Sequence, residues 1–202
     1  TSFAHFVQTI QKHAEKTGES NWGALTYWIC FLSNNQWCVR EELGQGEWKQ
    51  SSFYLALRSG HCRATCMVLD AKALPLTRSW CLFEVLQTYR LLHDPTSSGF
   101  GGLVFCTCDG PIGAAGQSGY DVTAALASRL SKLNVADASA SNEADQKMIA
   151  DLVEIEGGMA QMDRFIRTNM AKTLVMVQEQ FTDTMISLQA SLTQCMDTDL
   201  EA

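Results

Sequence analysis

The chain has no uninterrupted apolar run of about 18 residues, so no segment reads as a membrane span. It has no cluster of more than two adjacent basic residues, and acids outnumber bases 22 to 15, for a net charge of -7 and a pI of about 5.0. That balance speaks against nucleic acid as a partner. There is no Gly-x-Ser-x-Gly elbow of the α/β-hydrolase kind. No glycine loop ends in Gly-Lys-Ser/Thr, which removes the P-loop reading of the glycines at 99–102 and 110–119. No Cys-x2-Cys pair occurs, which removes the commonest zinc frameworks. Residues 1–13 are amphipathic and polar, unlike a signal peptide.

What is present suits one sizeable domain with an appendage: 202 residues, 46% of them hydrophobic. Eight cysteines stand at 30, 38, 62, 66, 81, 106, 108 and 195. Five of them (30, 66, 81, 106 and 108) sit inside apolar patterns, where free cysteine behaves as a small hydrophobe. The expectation is a reduced, cytoplasmic protein rather than a disulfide framework. His61-Cys62-x3-Cys66 and Cys106-x-Cys108 are the nearest approaches to metal-ligand spacing, and no metal is expected from them. His5, His13 and His93 fall on helix faces or ends and read as solvated.

Apolar residues at Phe3, Phe6, Val7, Ile10 and Ala14 predict a helix, with Ser2 as its cap. Residues 26–32 are short, β-prone and continuously apolar, and predict a strand buried on both faces. They end in the polar Ser33-Asn34-Asn35-Gln36, and residues 37–50 read as a long polar loop. Ser51 or Ser52 caps a short helix stopped near Gly60. Residues 64–69 and 103–108 predict two further strands, ending at Asp70 and Asp109, with a helix from Thr77 to Leu92 between them. Residues 110–119 hold four glycines and read as loop. A helix follows with Val122, Ala125, Leu126 and Leu130 on one face, then another from Asn142 to the Gly157-Gly158 stop.

Residues 159–196 contain neither Gly nor Pro. Leu174, Phe181, Leu188 and Cys195 recur every seven residues, and Val177, Met185 and Leu192 fill the neighbouring rows. One helix of that length would span roughly 50 Å, so it either breaks or projects onto a partner. Alternation of strand and helix argues an α/β class with a mostly parallel sheet and helices on both faces. Ligands of such sheets bind beyond the carboxyl ends of the strands.

One segment is more specific. After the strand ending in Cys66-Met67-Val68-Leu69-Asp70 comes Thr77-Arg78-Ser79-Trp80-Cys81-Leu82-Phe83-Glu84-Val85. A carboxylate among such apolar residues is costly unless paired, exposed on a cleft or partly protonated. The pattern resembles the third strand and Ser-x-Trp-Cys-x-x-Glu helix of TIR domains, specifically over residues 64–86 and in coarse element order to 109. Arg78 stands where that family usually carries serine. The resemblance implies a flavodoxin-like body over residues 1–133, followed by a helical extension over 134–202. It makes 26–32 the family's second strand, so its first would lie upstream of Thr1 or be supplied from elsewhere.

The function implied is a TIR-like signalling or assembly module acting through protein–protein contacts. Its contacts would come from residues 34–50 and 159–196, as self-association or with other chains. The alternative is a nicotinamide-releasing NAD hydrolase in which Glu84 stabilises the oxocarbenium-like ribose. Ser33, Asn34, Asn35, Trp37 and Asp70 are the candidate ligand-binding residues. NAD would be a substrate, and no cofactor is expected. Trp80 and Cys81 would pack the helix against the sheet.

Overall fold

The computed structural model describes residues 2–17, 20–35, 37–42, 44, 47–70, 72–97, 99–113, 120–132, 134–140, 142–155 and 157–200. In chain order the helices and strands are α1 (Phe3–Lys16), α2 (Cys30–Ser33), α3 (Val39–Glu42), α4 (Ser52–Arg58), β1 (Thr65–Val68), α5 (Ser79–Leu92), β2 (Leu103–Thr107), β3 (Gly110–Pro111), α6 (Tyr120–Lys132), α7 (Glu143–Ile155) and α8 (Met159–Leu200). The class is α/β and mostly helical among the described residues. The sheet is mixed rather than mostly parallel: β1 and β2 are parallel, and β3 returns antiparallel beside β2.

The strands alternate as their period of two requires. Met67 and Phe105 are paired in register and buried in the core shared with α5, where Leu69 and Leu103 are buried too. Cys66, Val68, Val104 and Cys106 fall on the opposite face, where α1 lies. Ser2 caps α1 through the His5 amide, and Ser51 caps α4 through the Tyr54 amide, at 3.3 Å each. The β2–β3 turn packs under the end of α1. Gly110 has φ of +112°, which favours glycine, and a side chain there would also crowd the Lys16 stem at 3.0 Å.

α5 is buried nearly all round, as a central helix is. Leu82, Phe83, Val85, Leu86 and Leu91 are all in the core. Phe83 takes Trp48, Phe53 and Trp80 edge-on, at 5.6, 6.1 and 5.8 Å between ring centroids. Truncation of Phe83 to alanine is worth about 3–5 kcal/mol at such a site. The first turn of α5 has no side-chain cap. Instead the Ser79 amide donates to the Ser139 carbonyl at 3.0 Å, and the Ser139 amide to the Thr77 carbonyl at 3.0 Å.

Residues 26–32 do not form the expected strand. Residues 25–29 run between helices without a ladder partner among the described residues, and Cys30–Ser33 closes a single helical turn. Their aromatic side chains explain it. Tyr27 docks on His13, Trp28 on Phe53 at 5.7 Å, and Phe31 on Phe6 at 5.1 Å. The apolar run packs on α1 and α4 instead of on a sheet face. In α6 the inward residues are Thr123, Leu126 and Leu130, whereas Val122 and Ala125 are exposed. The 110–119 loop begins as β3, and residues 114–119 lie outside the described residues.

α8 continues unbroken for 42 residues, about 63 Å at the helical rise. Its first half is core: Met162, Phe165, Ile166, Met170 and Val177 are buried in the same cluster as β1, β2 and α5. From Phe181 to Thr193 every side chain is exposed. No helix among the described residues is long and apolar enough to cross a membrane.

Candidate functional site

Two clusters of ionisable groups lie on different sides of the sheet. The first surrounds Glu84. It sits on α5, half-buried, in the electrostatic field of Arg78, Cys81 and Cys30. Burial pushes the Glu84 carboxyl up to about 7, and the Arg78 charge opposes that rise. Burial also pushes the Cys81 thiol up to about 12, with Glu84 adding to it. Cys30 is raised by the same two causes in the same order. The turn of α2 is what brings Cys30 to α5.

Glu84 does not bond Gln87. The Gln87 oxygen accepts from Arg90 at 3.4 Å, and its buried amide nitrogen has no acceptor among the described residues. Trp80 is structural but not against the sheet: its indole N–H donates to Asp145 of α7 at 3.2 Å. The remaining candidates disperse. Ser33 closes α2 by accepting the Ile29 amide at 2.9 Å. Asn34 is half-buried beside it. Asn35 accepts the Trp37 amide at 3.0 Å, which makes a local turn. Trp37 itself is 96% exposed and stacks on no ring among the described residues. Asp70 accepts the amides of Lys72 and Leu74 at 3.0 and 3.3 Å, so it shapes the loop that holds Ala73 at φ of +52°.

The second cluster joins His13 of α1, Cys66 of β1 and Cys106 of β2. The ligand-capable atoms of these three residues all lie within 4.8 Å of one another. The Cys66 sulfur is 3.2 Å from His13 Nε2, and His13 Nδ1 is 2.7 Å from the Tyr27 hydroxyl. Cys106 is fully buried, whereas His13, Cys66 and Tyr27 are half-buried. The hydrogen bond with Cys106 lowers the Cys66 thiol against the effect of burial, and His13 lowers it further. Cys106 moves up, first through the same bond and then through burial. Burial raises the Tyr27 phenol to about 12, so it stays a neutral hydroxyl.

His13 is therefore not the solvated residue its helix position suggests. His5 is likewise engaged, 3.3 Å from the Leu69 carbonyl, while His93 is exposed and bonds the Tyr89 carbonyl. One signal was present in the sequence. His5, Thr9 and His13 recur every four residues, which places a polar line on α1 against the sheet. Comparisons with protein-family models, curated proteins and solved structures gave no match to this chain.

Proposed function

We propose that this chain is an assembly module, a TIR-like body that associates with a second copy of itself along the exposed C-terminal half of α8. The observation that carries this is the exposed stripe of Met185, Leu188 and Leu192, at 51, 54 and 67% exposure. Their spacing of three and then four residues is that of a coiled-coil seam. Scattered apolar residues on a surface need no explanation, but a continuous row does. The second copy is the favoured occupant because the flanking positions Thr182, Thr184, Gln189 and Ser191 are uncharged. Nothing in that row repels an identical helix.

Light scattering on the full chain tests it. The parent mass rises from monomer to dimer with concentration, and the double substitution Met185→Glu, Leu188→Glu holds it at monomer. A parent that stays monomeric throughout overturns the reading. Cutting the chain before α8 is a poor test, because Met162, Phe165, Ile166 and Met170 belong to the core.

A second reading, NAD cleavage, rests on Glu84: a half-buried carboxylate raised to about 7 beside Arg78 in the Trp-Cys-x-x-Glu helix. Nicotinamide released from NAD by the parent and not by Glu84→Gln would establish it. Equal release, or none from either, removes it.

A further inference from the structure

We propose that His13, Cys66 and Cys106 form a zinc site with three protein ligands and an open fourth position. The inference is independent of the assembly and NAD readings. Its geometry is that of the donor set itself. Two sulfurs and one imidazole nitrogen converge from three separate elements and lie within 4.8 Å of each other. In a tetrahedral zinc site, with Zn–S of about 2.3 Å and Zn–N of about 2.0 Å, neighbouring donor atoms stand roughly 3.5–3.8 Å apart. The Cys66–His13 separation of 3.2 Å opens by a few tenths of an ångström to meet that. The set is soft, N and S without carboxylate, which selects zinc over calcium or magnesium.

The support around His13 fits a ligand. In the tautomer whose Nδ1–H donates to the Tyr27 hydroxyl at 2.7 Å, Nε2 keeps its lone pair on the side of the Cys66 sulfur, 3.2 Å away. Metal-bound imidazoles are held in this way by a partner on the other ring nitrogen. Tyr27 also gives the extended segment before α2 a reason to lie where it does.

A disulfide is the competing use of two close cysteines, and the register opposes it. Cys66 pairs with Val104, and Cys106 pairs with Val68, so the cysteines are diagonal by two residues on neighbouring parallel strands. Strand spacing and rise then put their Cα atoms about 8 Å apart, beyond the range a disulfide bridges. A metal spans that diagonal because each sulfur has only to reach the ion and need not close from hydrogen-bond contact to covalent distance of the other. The half-exposure of Cys66 and His13 leaves solvent a way to the fourth position, where a water or an added ligand completes the tetrahedron. Bound there, zinc pins α1 to both strands of the parallel pair.

The test uses the full chain, stripped with chelator and then given zinc or cobalt(II). The expected result is one zinc per chain after buffer exchange, and a thiolate-to-cobalt charge-transfer band with tetrahedral d–d absorption. Cys66→Ala and His13→Gln each lower zinc affinity at least tenfold, while Cys62→Ala and Cys108→Ala retain the full equivalent. Absence of the cobalt–thiolate band in the parent overturns the proposal, and that readout needs no variant to fold. Full zinc retention in Cys66→Ala, with the far-ultraviolet spectrum of the parent, overturns it as well.

Discussion

Cys66 and Cys81 are both free and half-buried, yet their surroundings drive the two thiols in opposite directions. Burial penalises the thiolate in both places. Beside Cys66 stand a thiol and an imidazole, which stabilise negative charge and outweigh burial. Beside Cys81 stands Glu84, which adds to burial, and Arg78 offsets only part of it. Exposure alone therefore says little about what a cysteine here does. The polarity of its two or three neighbours decides, and one sheet separates a cluster suited to binding a cation from one suited to staying uncharged.

The widest gap between the two is in nucleophilicity. In metal-free protein at pH 7, iodoacetamide modifies Cys66 about a hundredfold faster than Cys81, because the far larger thiolate fraction outweighs the weaker nucleophilicity of a low-pKa thiolate. Peptide mapping by mass spectrometry at short times reads the two sites separately. His13→Gln slows Cys66 and leaves Cys81 unchanged. Comparable rates at the two cysteines in the parent would break the contrast.

Glu84 sharpens the other side. Its carboxyl is raised from 4.5 to about 7 in the folded chain. Below pH 4.5 both folded and unfolded forms hold the proton, and the group is neutral to stability. Between there and about pH 7 the unfolded chain loses its proton first, so stability falls as pH rises, and it levels off above that. The loss is at most about 3 kcal/mol. Glu84→Gln removes it: denaturant midpoints of parent and variant agree near pH 4, and the variant is more stable by about 1–3 kcal/mol at pH 8. A variant less stable than the parent at pH 8 would mean that the ionised carboxylate is held by a donor after all. The same substitution lets Cys81 titrate lower, since Glu84 is the second cause of its shift.

Much of the architecture was readable from local pattern, because local physics sets it. Ser2 and Ser51 cap as their positions suggest, β1, β2 and α5 fall where apolar runs and turn residues place them, and α8 runs on for want of Gly or Pro. The segment at 26–32 was not readable. A continuous apolar run says only that side chains are buried, and here Tyr27, Trp28 and Phe31 each find an aromatic or imidazole partner on a helix. Glu84 stood out because an acid amid Trp80, Leu82, Phe83 and Val85 is anomalous in any fold. His13, Cys66 and Cys106 did not, because each is ordinary in its own element. Only the parallel register of β1 with β2, and α1 crossing their outer face, makes them one cluster.

The smallest effect tests how much of that cluster is support rather than chemistry. Tyr27→Phe keeps the ring edge-on to His13, 5.7 Å between centroids in the parent, and deletes only the hydroxyl at Nδ1. The stability cost is about 0.5–1.5 kcal/mol, one hydrogen bond at a half-buried site. Cys66 stays the fastest thiol to alkylate, slowed only a few-fold, because Cys106 and Nε2 of His13 still face it. If Cys66 instead falls to the rate of Cys81, it is the orientation of the imidazole by Tyr27 that activates the thiol. The difference between the two clusters would then rest on the extended segment before α2 more than on the sheet.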